Sequence, residues 1–214
     1  SNPYANRDPR LAMSILTNNV EFKDRTIEAW TGGRDGKGVI HATRTGYYIY
    51  KFIDPNLDLL QNRTSVHHWV IMRYAEILLS YAEAMNEAYG PTGNVGYRLN
   101  AVRALNQVRN RVGVEMPAVP TAISKEELRE KIRNERRVEL AFEDHRFWDV
   151  RRWMIAPETL GAPLRGVEIT KISDEEFEYK PIEVEKRTFE PKMYLYPIPQ
   201  ADLNTTGWVQ NPLW

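Results

Sequence analysis

Cysteine is missing from all 214 residues. Disulfides, thiolate metal sites and a cysteine nucleophile are therefore excluded. The compartment stays open, because exported proteins can also lack cysteine. Charge of one sign is not in excess either. The 29 basic and 29 acidic side chains cancel, which removes the electrostatic case for nucleic acid or an anionic membrane surface as partner. No run of about 18 apolar residues reads as a membrane-spanning helix, no signal peptide is recognisable, and no low-complexity tract occurs. The GxSxG, HExxH and P-loop signatures are absent. The chain opens Ser1-Asn2-Pro3 rather than on methionine, and so reads as a processed or excised piece.

What is present is ordinary for a folded domain: 42% hydrophobic and 27% charged residues, in a chain long enough for a substantial core. Aromatics reach 11%, with 6 Trp and 11 Tyr, side chains that can offer stacking surfaces. Asn6, Asp8 and Pro9 signal a turn, and residues 11–17 read as a short strand. Residues 31–38, TGGRDGKG, form a loop, and 45–52, TGYYIYKF, an extended aromatic segment. From residue 69 the apolar period becomes helical. Helices over 69–89 and 96–112 make an αα-hairpin similar in size to one tetratricopeptide-type unit. Ser124 and Glu127 form a capping box that starts a long helix to about Phe142, followed by a shorter one over 145–154. Residues 156–193 look irregular, with a strand or two within FEYKPIEVEKRTF. A short helical turn is expected at 199–203. The fold class is mainly α: tetratricopeptide-type helical hairpins with irregular loops and a few short strands.

The densest chemistry lies at 134–153, NERRVELAFEDHRFWDVRRW, where more than half the residues are charged or histidine. On a helical wheel, Leu128, Ile132 and Phe142 lie within about 40° of one direction. Glu135 and Glu139 fall in the middle of that stripe. Two inward carboxylates four residues apart could be a retaining glycosidase pair, which needs a separation of about 5–5.5 Å. They could equally be structural, each met by an arginine from a neighbouring helix. Arg73, Arg103, Arg109, Arg111, Arg136 and Arg137 are available. Catalytic acids project from loops and strand ends more often than from mid-helix, so the structural reading is preferred. His67 and His68 are adjacent and diverge. His145 beside Glu143 and Asp144 lacks the ligands a zinc site needs and reads as a helix-junction residue. The glycine-rich loop opens no clear helix and is a poor phosphate cradle.

Five blocks in order carry a resemblance: NRDPRL at 6–11, WVIMRYAEILLSYAEAMNEA at 69–88, ALNQVRNRVGV at 104–114, IRNERRVELAFEDHRFWDVRRW at 132–153 and YLYPIPQADLNTTGWVQNP at 194–212. Together they resemble the C-terminal half of SusD/RagB-family proteins. The resemblance implies a surface-exposed outer-membrane lipoprotein of Bacteroidetes that binds glycans or other nutrients. It further implies a SusC-like TonB-dependent transporter as partner, with no enzymatic activity and no cofactor. Any membrane attachment would run through a lipid anchor absent from this chain. Three segments follow: 1–68 as the loop and strand ligand face, 69–154 as helical scaffold, and 155–214 as an irregular C-terminal segment. The scaffold reading makes Glu135, Glu139, Asp8 and Arg10 structural.

Glycan sites need aromatic planes and planar polar groups on loops, and residues 22–50 supply both. Trp30 is the first candidate, followed by Tyr48, Tyr47, Arg34 and Asp35, with Tyr4 behind them. The competing reading makes Tyr47, Tyr48 and Tyr50 ordinary core or strand residues, and it applies equally to Trp30. Trp208 and Trp214 are expected to pack. Two other functions compete: a tetratricopeptide-type peptide-binding module, and a glycoside hydrolase using Glu135 and Glu139.

Overall fold

Asp8 and Pro9 start the first element. Pro9 holds a helical backbone (φ −58°, ψ −24°). The Asp8 carboxylate accepts the Arg10 N–H at 3.0 Å, and the Asp8 carbonyl accepts that of Leu11 at 2.9 Å. Helix α1, Arg10–Ser14, forms here, where the sequence suggests a strand. Local turn chemistry outweighs the loose alternation, and only β1, Ile15–Leu16, is extended. The computed structural model describes residues 2–214.

Strands β2, Glu21–Phe22, and β3, Arg25–Thr26, form a hairpin. Lys23 and Asp24 between them have φ of 49° and 59°, the backbone a two-residue hairpin turn demands. After the glycine-rich loop, β4, Tyr48–Ile49, returns to pair antiparallel with β1, Leu16 opposite Tyr48.

Helix α2 spans Tyr74–Tyr89, five residues shorter at its start than the periodicity suggests, because Arg73 is extended. Helix α3, Ala101–Arg109, is capped by Asn100, whose side chain accepts the Arg103 N–H at 2.9 Å. Helix α4, Lys125–Glu139, carries the expected capping box. It stops at Glu139 because Phe142 and Asp144 both take positive φ. Phe142 therefore leaves the apolar stripe the wheel assigns it and is exposed. Helices α5, His145–Arg152, and α6, Ala156–Thr159, follow.

The stretch expected to be irregular holds the longest hairpin: β5, Leu164–Lys171, against β6, Phe177–Glu185. Pro181 is tolerated within β6 for a reason visible in its partner. Val167, opposite it, donates its N–H away from β6, to Thr45 O at 2.9 Å. No ladder bond is asked of the proline at that pair. Helix α7, Gln200–Thr206, ends the regular structure.

Helices and 3-10 turns make up about a third of the chain, and the apolar side chains gather in two cores. The larger joins α2, α3 and α4 through Leu79, Ala82, Leu105, Val108, Leu128 and Ile132. The smaller joins Leu16, Ile27 and Ala29 to Ile169 of β5, under a rim of aromatics. Thr31 N–H to Ile169 O at 2.8 Å also ties the loop to β5.

Candidate ligand face and charged scaffold

The 134–153 stretch is a lattice of ion pairs. Glu135 and Glu139 are buried, as is Arg10. One Arg10 nitrogen donates to both, at 2.6 Å to Glu135 and 2.9 Å to Glu139, while its other two nitrogens hold Asp8 bidentately. The second Glu135 oxygen accepts from Arg109 at 2.6 Å. Glu139 also accepts from Arg73 at 2.6 Å and from Arg111. Arg73 reaches Glu143 with two further nitrogens, at 2.7 and 2.8 Å, and Lys51 joins Glu143 at 2.5 Å. Burial alone would raise the Glu139 pKa. Hydrogen bonds from Arg111, Arg73 and Arg10 reverse that and hold it at about 2. The same balance lowers Glu143, through Arg73 and Lys51. Helix α5 is locked likewise: Arg136 and Arg152 share Asp149 at 2.8 and 3.0 Å, and Arg152 grips Glu83.

This geometry bears out the structural reading of Glu135 and Glu139. Every oxygen of the two carboxylates accepts from a guanidinium, so neither is poised as nucleophile or acid. Of the arginines proposed from sequence, Arg73, Arg109 and Arg111 serve these glutamates. Arg103 and Arg137 do not, and Arg136 turns to Asp149 and Ser80. The hub, Arg10, lies 125 residues from Glu135, beyond the reach of periodicity arguments. His145 sits at the α5 start, 3.6 Å from Glu76. No cluster of three or more metal-ligating side chains occurs among the described residues.

On the candidate face, the glycine-rich loop wraps Trp30. Gly33 N–H donates to Trp30 O at 2.9 Å and Gly36 N–H to Gly33 O at 3.0 Å. A Cβ on Gly36 would lie 2.0 Å from the Trp30 carbonyl oxygen, and one on Gly33 2.9 Å from the indole ring. The glycines serve close packing rather than a phosphate. Gly36→Ala should therefore cost about 1–3 kcal/mol by forcing the loop open; a thermal melt showing no change would refute the wrapping. Trp30 is half-buried, tilted against Phe177 at 5.4 Å between centroids, with the Lys171 ammonium 5.0 Å from its ring.

Asp35 braces the loop. Arg25 grips it bidentately at 2.6 and 2.8 Å, it accepts the Glu28 N–H at 3.0 Å, and the Arg25 hydrogen bond lowers its pKa. The Tyr48 hydroxyl donates to Asp35 O at 2.7 Å and accepts the Thr43 N–H at 3.2 Å, while its ring joins the smaller core. Tyr47 meets Tyr4 edge-on at 6.2 Å. Arg34 is exposed at the loop crest. Trp30, Asp35 and Tyr48 are thus joined in one loop structure. Tyr47 is connected to Trp30 through the ring chain Tyr4, Tyr179 and Phe177, with successive centroids 5.4 and 6.5 Å apart along β6. Sequence reasoning missed Lys171, Phe177 and Tyr179. For Phe177 and Tyr179 the signal is the alternation of aromatics in β6, obscured by Pro181; Lys171, at the end of β5, carries no such signal.

Fold and face together define a three-helix scaffold cross-linked by buried ion pairs and carrying an aromatic loop face braced by a β-hairpin. The chain belongs to the SusD family, whose model matches residues 1–214. A SusD-like protein of Bacteroides fragilis superposes with a TM-score of 0.79 at 32% identity, over 99% of this chain and 40% of that one. A SusD-like carbohydrate binding protein of the same species superposes at 0.75 and 32% identity, over 95% of this chain and 42% of its own. SusD-like protein P2 of Formosa agariphila is 34% identical over 120 residues, 54% of this chain and 22% of that protein. The chain therefore spans about two fifths of these solved relatives and about a fifth of the curated one.

Proposed function

We propose that this protein binds a glycan without cleaving it, through the loop face at 22–50. Family membership supports the reading, and so does the description of a 32% identical relative as carbohydrate-binding. The observation that carries the site is Trp30. It is a half-buried indole, fixed by Gly33, Gly36 and Phe177, on a loop whose crest bears the exposed Arg34. A fixed aromatic plane stacks on a sugar ring at little entropic cost, and a guanidinium supplies planar donors to hydroxyls. Tyr48 and Asp35 hold the loop in shape, and Tyr47 extends the aromatic surface. The setting we propose is the bacterial cell surface. There the protein is a lipid-anchored component of nutrient uptake beside a SusC-type TonB-dependent transporter, with α2 and α3 as one tetratricopeptide-type unit of its scaffold.

The test is a saccharide screen by calorimetry with product analysis. A glycan should bind and remain intact. Trp30→Ala should weaken binding about tenfold, the scale of one lost stacking contact. Because Trp30 also packs in the smaller core, Arg34→Ala is measured beside it. That change should weaken binding while leaving the melting temperature unmoved. Binding unaffected by both variants would place the ligand elsewhere. A second reading, a peptide-binding module, rests on the exposed apolar run Trp69, Ile71, Met72, Tyr74 and Ile77. Capture of a peptide with no saccharide binding would favour it.

A further inference from the structure

Every exposed position within α3 and α4 is polar, such as Arg103 and Gln107 on the first and Glu130, Asn134 and Arg137 on the second. Helix α2 differs. Its buried face, with Leu78, Leu79, Ala82 and Met85, fills the larger core against α3 and α4. A second apolar row runs beside it: Tyr74, Ile77, Tyr81, Ala84 and Ala88. At 100° per residue these five fall within about 80° of arc. Tyr74 and Ile77 are 69% and 46% exposed, and Ala84 and Ala88 are exposed as well. Tyr81 alone is half-buried, its hydroxyl donating to Leu99 O at 2.8 Å. A helix that is apolar on two sides belongs in an interior, yet no element among the described residues covers this row.

The row advances by three, four, three and four residues. That is the a and d repeat of a helix–helix seam, whose side chains interlock with those of a facing helix roughly 8–10 Å away. Side-chain size grades along it, from Tyr74 and Ile77 at the start of α2 to Ala84 and Ala88 near its end. A facing helix therefore comes closest over the alanines and carries its bulkier side chains there. Trp69, Ile71 and Met72, all exposed, lead into the row and make the apolar surface continuous rather than scattered. The lengths of the relatives point to the occupant. The two Bacteroides fragilis proteins superpose over 99% and 95% of this chain, yet the match takes up 40% and 42% of theirs. About three fifths of each therefore lies outside the match.

We propose that the row on α2 is a seam for an amphipathic helix of the same polypeptide, drawn from the part that corresponds to those three fifths. That helix brings an apolar a and d stripe of its own, with large side chains opposite Ala84 and Ala88 and small ones opposite Tyr74. Its burial of the row supplies the partner that α3 and α4 leave unprovided on this side of α2. The inference stands apart from the glycan face, which lies on the loop at 22–50 and on the β5–β6 hairpin. It also removes the surface on which the peptide-binding reading rests, because the run from Trp69 to Ile77 is then covered from within the protein.

The experiment labels cysteines in the protein at its natural full length. Positions 1–214 contain no cysteine, so a thiol placed by Ala84→Cys and located by peptide mapping reports on the seam. Gln107→Cys, on the exposed side of α3, is the control. The thiol at 84 should react with a maleimide on the order of tenfold more slowly than the one at 107, at micromolar and nanomolar protein alike. A photoreactive side chain at position 77 should cross-link to a residue outside positions 1–214, in a product of single-chain mass. Should these variants fail to fold, hydroxyl-radical footprinting of the unaltered protein takes their place. Met72 should then oxidise more slowly than Met154, although the two are 64% and 63% exposed in residues 1–214 alone. Equal labelling at 84 and 107, or equal oxidation of the two methionines, overturns the proposal. A cross-link in a product of two-chain mass, with protection lost on dilution, also overturns it and makes the occupant a second copy.

Discussion

Arg10→Ala should lower the unfolding free energy by about 3–5 kcal/mol, the scale of removing one partner from a buried ion network. Arg10 is 4% exposed and reaches Asp8, Glu135 and Glu139 at once. Its loss leaves Glu135 with Arg109 alone and opens a space among three carboxylates. The change also removes the two guanidinium bonds to the Asp8 carboxylate and leaves only the backbone N–H of position 10 to hold it at the start of α1. Arg103→Ala removes an equal charge from an exposed position and should shift stability by less than about 0.5 kcal/mol. Urea unfolding of the two variants decides the matter. An Arg10→Ala cost below 1 kcal/mol would mean that the lattice does not hold the N-terminal segment to α4.

Acid should dismantle the same lattice. The Glu139 carboxyl sits at about 2 in the folded chain against an ordinary value of 4.5, so folding binds it in its ionised form. Its contribution is fully present above the unfolded pKa and is lost as pH falls from about 4.5 toward 2. The shift corresponds to a loss on the order of 3 kcal/mol. Glu143 and Asp8 are lowered in the same direction, the first against its burial and the second chiefly by the Arg10 hydrogen bond, so their losses add in that window. Urea midpoints at pH 7, 5 and 3 should fall little over the first step and steeply over the second. A midpoint flat from pH 5 to 3 would contradict the assigned pairing.

The legibility of the chain follows the range of the forces involved. The α4 capping box and the α2 and α3 periods are local, and the structure has all three helices, with α2 and α3 each starting five residues later than expected and α3 ending three residues earlier. Phe142 was misplaced because a helical wheel assumes the helix continues, and positive φ at Phe142 and Asp144 ends it. Residues 11–14 turned helical because Asp8 supplies hydrogen bonds that alternation cannot reveal. The β5–β6 hairpin was half seen: Gly166 and Pro181 disguise its pairing, and its stabilising contacts lie with Thr31 and Thr45, far away in sequence. The inward glutamates were correctly paired with arginine in kind, while their hub, Arg10, could be found only in three dimensions. On the face, loop composition points to Trp30, but Lys171 and Phe177 reach it from the two strands of a hairpin more than 140 residues on. Asp35 and Tyr48 prove to be bonded to the loop's own framework, a role that residue type alone does not reveal.

Glu135 and Glu139 are held as scaffold by arginines, and the function we propose is saccharide binding without cleavage. The most direct test incubates the bound glycan with the wild-type protein and with Glu135→Gln, following ligand size by mass spectrometry and stability by urea unfolding. The expected result is an intact ligand in both samples, with Glu135→Gln less stable by about 1–3 kcal/mol through loss of charge at Arg10 and Arg109. Cleavage by the wild type that vanishes in a fully stable Glu135→Gln protein would contradict the account.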